Sequence, residues 1–101
     1  MIENLLNIAQ EIVDLCNLSL SDKSNPNFEV INLVKREMES LIASLKTDKK
    51  AIVLNKKREI WAPKVIRDSA DFNYNKNLFD KVFDLEKMCR KLKKDEIIVL
   101  Y

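Results

Sequence analysis

The sequence predicts an α+β domain that is predominantly helical, with an N-terminal helical hairpin, a third long helix and a small β element at about 51–61 and 96–101. Three observations lead there. Apolar residues recur at three- and four-residue steps through three long stretches, the period of a helix with one buried face. A polar break containing proline separates the first two stretches. Two short apolar runs rich in β-branched residues, Ala51-Ile52-Val53-Leu54 and Ile97-Ile98-Val99-Leu100-Tyr101, read instead as strands. The alternative is a four-helix bundle. With 101 residues, 47% of them apolar, the chain has material for one core and is read as a single domain, 1–101.

The first helix is expected over 2–20, with Leu5, Ala9, Ile12, Val13 and Cys16 on one face. Ser21 to Pro26 is a polar turn that stops it. The second helix is expected from about 27 to 45, capped by Asn25 or Asn27, with Ile31, Val34, Met38, Leu41 and Leu45 inward. Two amphipathic helices joined by a short loop pack as an antiparallel hairpin. The segment 48–61 has two readings. One is a β-hairpin turning near Asn55-Lys56; the other is a helix from Asp48 to Trp61 capped at Thr47. The polar block 55–59 interrupts any continuous helical stripe and favours the hairpin. Pro63 then starts a short helix to about Ala70, with Val65 and Ile66 inward. After an Asn-rich connector, the last long helix is expected over 76–93 through Leu78, Phe79, Val82, Leu85 and Cys89. An exposed apolar strand at 96–101 would invite association, so it should pair with 51–54 or join two copies as a homodimer.

Two absences narrow the chemistry. There is no glycine, so the phosphate-cradling loops of nucleotide-binding enzymes are excluded. There is no histidine, which removes the commonest general base and metal ligand. The run Asp71-x-Asn73-x-Asn75 starts like a calcium loop. It fails at Lys76, where glycine is needed, and at Val82, where a bidentate glutamate is needed. No metal or cofactor is therefore expected. Cys16 and Cys89 belong to no CxxC pair and are read as buried free thiols. A disulfide between the first and last helices is the other reading. The opening residues lack a basic n-region, and no run reaches the length of a membrane span; a cytoplasmic protein without membrane insertion is expected.

Charge is the strongest functional signal. Residues 1–45 carry 3 basic and 7 acidic groups, whereas residues 46–101 carry 15 basic and 9 acidic. The excess gathers at Lys49, Lys50, Lys56, Lys57, Arg58, Lys64 and Arg67, around the only tryptophan, Trp61. Tryptophan is a frequent anchor of protein interfaces. The leading reading is a non-catalytic protein-interaction module of the inhibitor, immunity or regulatory-accessory kind, using this basic surface near Trp61. A nucleic-acid-binding protein using the same patch is the second reading, since cations beside an exposed aromatic suit a phosphate backbone and a stacked base. A small enzyme using the carboxylate pairs Asp80/Asp84 or Asp68/Asp71 is the third. No motif matches a known family. The chain resembles small bacterial immunity proteins only in size, basic character and helical content.

Overall fold

In the computed structural model the described residues are 2–47, 61–71 and 73–94. They form four helices: α1 (Ile2–Leu20), α2 (Phe28–Thr47), α3 (Ala62–Ser69) and α4 (Lys76–Lys94). The long helices fall where periodicity placed them, because each carries one apolar stripe that has to be buried. Leu5, Ala9, Ile12 and Cys16 of α1, Ile31, Val34 and Met38 of α2, and Phe79, Val82, Leu85 and Cys89 of α4 have no exposed surface. Together with Ala62 and Ile66 of α3 they make one core.

The helices alternate in direction. The turn at 21–27 returns the chain from α1 to α2. Asn75, at the start of α4, lies 2.9 Å from Asn27 and 3.5 Å from Ser19, so α4 begins beside that turn. It then runs back along α1, where Lys81 meets Glu11 at 3.0 Å. Next, α3 starts against Glu37 of α2 and ends beside Asn27, antiparallel to both α2 and α4. Helix α1 packs on α2 and α4, and α3 packs on the same two from the opposite corner. The result is an up-down-up-down bundle with one short member.

The α+β expectation is therefore corrected to an all-helical fold: there is no strand among the described residues, and the four-helix alternative fits. Trp61, the last residue of the expected hairpin, has φ −83° and ψ −31° and stands at the N-cap of α3. The physical reason lies in where its backbone bonds go. The Trp61 and Ala62 N–H groups donate to the Glu37 carboxylate, so this stretch enters a helix and offers no ladder to a strand. The remainder of the expected β element, 51–60 and 96–101, lies outside the described residues, as does the homodimer strand expected at 96–101.

Both cysteines are buried free thiols. Burial pushes the Cys16 thiol up to about 12. At neutral pH it then holds about a thousandfold less thiolate than an unfolded cysteine, and thiolate is the reacting species. Titration with an aromatic disulfide reagent should find both thiols unreactive in the native protein and two reactive thiols per chain after denaturation. Rapid native labelling of Cys16 would contradict this placement.

Candidate interaction site

Three of the eight residues expected to bind a partner lie among the described residues: Trp61, Lys64 and Arg67. Lys49, Lys50, Lys56, Lys57 and Arg58 lie outside them. Trp61 keeps 44% of its surface exposed. Its backbone, by contrast, is held firmly. Glu37 Oε2 accepts the Trp61 N–H at 2.8 Å and Glu37 Oε1 accepts the Ala62 N–H at 2.9 Å. Each carboxylate oxygen takes one amide at the positive end of α3, which favours the charged form. Burial acts in the other direction and is the larger influence, so the Glu37 carboxyl sits above the usual glutamate range. Leu33, four residues before Glu37 on the same side of α2, is half exposed.

The two described cations of the patch are engaged within the protein. Lys64 pairs with Asp68 at 2.6 Å along α3. Arg67 reaches Glu86 of α4 at 3.7 Å, and its guanidinium lies 5.6 Å from the centre of the Phe83 ring. Glu86 is shared with Arg90 at 3.4 Å. The expected acidic pairs are divided in the same way. Asp80 bonds Lys76 at 2.7 Å and Asp68 bonds Lys64, while Asp84 is exposed on the outer side of α4. Among the described residues, no group of three His, Cys, Asp or Glu side chains is placed to hold a metal ion. Nor is any helix among them long and apolar enough to cross a membrane.

A second polar region closes the opposite end of α3. Asn27 is only 1% exposed, yet all its amide groups are satisfied. Its Nδ2 donates to the Asp71 carbonyl at 2.8 Å and to Asn75 Oδ1 at 2.9 Å, and its Oδ1 accepts the Asp71 N–H at 2.7 Å. The Asn27 carbonyl accepts the Ile31 N–H at 2.8 Å to begin α2. Its own N–H donates to Asn25 Oδ1 at 2.8 Å, an Asx turn. Asn27 is thus a helix cap through its backbone and a bolt between two loops through its side chain. Nearby, the Ser24 hydroxyl and N–H both donate to Asp22, holding its carboxyl below the usual carboxylate range. Beside this network lies an open cleft of about 300 Å³ between Leu15, Ser19, Tyr74 and Asn77.

Sequence reasoning missed Glu37 as the residue that holds Trp61, and Leu33 as an exposed apolar residue one turn away on α2. Leu33 carries a readable signal: it is a large apolar residue one step outside the α2 stripe. Glu37 carries none, because it caps a helix that begins 25 residues later. No protein-family model, no curated protein and no solved structure matches this chain.

Proposed function

We propose that this chain is a non-catalytic protein-interaction module, and that Trp61 anchors its partner. The observation that carries this reading is the combination at Trp61 of a 44% exposed side chain and a backbone fixed by two charge-assisted hydrogen bonds. An aromatic anchor held in place before binding loses little conformational entropy when a partner closes over it. Half-exposed Leu33 lies one helical turn from Glu37 on α2 and offers further apolar area on that helix. Residues 46–67 hold eight cations against Asp48 and Glu59, so the fitting partner has an apolar pocket for the indole with acidic groups around it. The same reading takes the module as cytoplasmic, where unpaired cysteines such as Cys16 and Cys89 are usual. The nucleic-acid reading has less behind it, since Lys64 and Arg67 already face Asp68 and Glu86. The carboxylate-enzyme reading likewise has Asp80 and Asp68 bound to lysines.

The test compares the wild-type chain with Trp61→Ala and Leu33→Ser, using a control on the far side of the bundle, Leu18→Ser. A specific partner should be captured by the wild type and by Leu18→Ser. Its affinity should fall about thirtyfold or more with Trp61→Ala, the loss typical of an interface anchor. Thermal unfolding should show the Trp61→Ala chain as folded as the wild type, because the removed ring is half in water. Equal affinity for wild type and Trp61→Ala would overturn the proposal.

A further inference from the structure

We infer that Arg67 of α3 and Arg90 of α4 form one receptor for a carboxylate of the partner protein, with Glu86 gathering the two guanidiniums at a shared place. The inference deepens the reading proposed above, in which the partner is acidic, and rests on it for the owner of the carboxylate. The receptor itself has a readout that needs no partner.

The packing of α3 on α4 creates the pair. Arg67 Nη1 lies 3.7 Å from Glu86 Oε1, and Arg90 Nη2 lies 3.4 Å from Glu86 Oε2. One carboxylate thus draws a guanidinium toward each of its oxygens. The Glu86 side chain keeps only 12% of its surface exposed, whereas both arginine side chains are more than half exposed. A charge set back from water is screened less, so its pull on the two cations exceeds that of a fully solvated acid. Arg67 has a second constraint, because its guanidinium lies 5.6 Å from the centre of the Phe83 ring, within cation–π range. Arg90 follows Glu86 by four residues, the favourable order for an ion pair along a helix.

Orientation by Glu86 leaves the donors available. At 3.7 and 3.4 Å the two contacts are ion pairs rather than hydrogen bonds. Among the described residues neither guanidinium donates a hydrogen bond. Each keeps its planar fork of N–H groups, the geometry that takes both oxygens of a carboxylate. Two arginines stand against one glutamate here, so the trio has an excess of one positive charge. A single incoming carboxylate neutralises that excess and relieves the repulsion between the guanidiniums. Because Arg67 and Arg90 are gathered before binding, less side-chain freedom is lost when the anion arrives.

Position ties the receptor to Trp61. Arg67 stands two turns further along α3, an axial rise of about 9 Å. A standard protein interface covers about 800 Å² on each partner, so one that closes over the indole spans this distance. A protein carboxylate suits the place better than a nucleic acid. Asp68 follows Arg67 directly and is exposed, and Asp84 is exposed on α4. A phosphate backbone brings closely spaced negative charges past these acids, whereas a single carboxylate does not. Lys87 and Lys91, also exposed on α4, attract either kind of anion and do not discriminate.

The test follows the arginine Nε–H resonances of the isotope-labelled full chain by nuclear magnetic resonance. Hexaglutamate is titrated in at constant sodium chloride. Arg67 and Arg90 should shift together and saturate with one midpoint, while Arg36, exposed on α2, stays where it is. Affinity should fall about tenfold or more in Arg67→Lys and in Arg90→Lys, which keep the charge and lose the fork, the loss of one charge-assisted hydrogen bond. It should change little in Lys46→Gln, which removes a cation from the groove that α2 shares with Gln10 of α1. Both arginines are exposed, so the lysine variants should keep the circular dichroism of the wild type. Separate midpoints, an equal response at Arg36, or affinity untouched by both lysine variants would sink the receptor. A thymidine oligonucleotide of equal charge should bind more weakly than hexaglutamate. Tighter binding, with the same two resonances shifting, would make this a nucleic-acid surface and overturn its assignment to a protein carboxylate. Partner loss in Trp61→Ala without the arginine shifts leaves the anchor standing and removes the receptor. The shifts without any partner loss do the reverse.

Discussion

Asn27→Asp should destabilise the protein more than Asn27→Ala at neutral pH, and the difference should shrink as pH falls. Alanine removes three side-chain hydrogen bonds and leaves the Asp71 N–H and carbonyl without their partner. Orphaning such part-buried groups costs about 3 kcal/mol in total, or a fall of about 15 °C in Tm for a domain of this size. Aspartate keeps the acceptor for the Asp71 N–H. It sets a second oxygen, however, where Nδ2 now stands, 2.8 Å from the Asp71 carbonyl and 2.9 Å from Asn75 Oδ1. Asn75 can rotate its amide to donate; a carbonyl cannot. A carboxylate buried against an acceptor adds about 1–2 kcal/mol to the cost. Protonation turns the offending oxygen into a donor to the Asp71 carbonyl. The introduced carboxyl is therefore raised above its unfolded value, and its penalty is relieved as pH falls through that window. Urea unfolding of both variants and the wild type at about pH 7 and pH 5 decides the matter. A smaller loss in Asn27→Asp than in Asn27→Ala at neutral pH would show that the Asp71 N–H alone carries the site.

That network also shows what the sequence could and could not reveal. The stripes of α1, α2 and α4 were legible because a helix repeats its demand every three or four residues. The sequence named Asn25 or Asn27 as the cap of α2, since capping is local, and Asn27 stands there through its backbone carbonyl. Its partners at 71 and 75 were not, because nothing within ten residues of Asn27 refers to them. Glu37 was hidden for the same reason. Placing Trp61 at the end of a hairpin had a related origin: β-branched residues and a polar interruption are local signals, whereas the bond that turns Trp61 into a helix start comes from α2. The basic excess was legible as a count but not as a surface. The Lys64–Asp68 pair follows from its i,i+4 spacing, but Arg67 meets Glu86 only once α3 packs on α4.

Ile66→Ala should release α3 from the bundle as a unit. Eight residues are too few for a helix to persist alone in water. Three attachments hold α3 instead: the Glu37 clamp at its start, the Asn27–Asp71 bonds just past its end, and the burial of Ala62, Pro63 and Ile66 between them. Ile66 is the largest apolar side chain of the helix to be fully buried, with 1% of its surface exposed. Truncation to alanine costs about 2–5 kcal/mol when the gap does not collapse. That loss is measured globally only while α3 stays docked. Once it exceeds the free energy of docking, the protein lowers its free energy by letting α3 go and keeping the remaining helices paired, so further damage to α3 stops counting. In Ile66→Ala, Trp61 emission should therefore shift at a lower urea concentration than the circular dichroism of the bundle, and amides 64–70 should exchange faster while those of α1 keep their protection. Coincident transitions by both probes would make α3 an integral part of one cooperative unit. Its attachment would then rest on the whole core, which Ile66 shares with Phe79 and Leu85, rather than on its two polar ends.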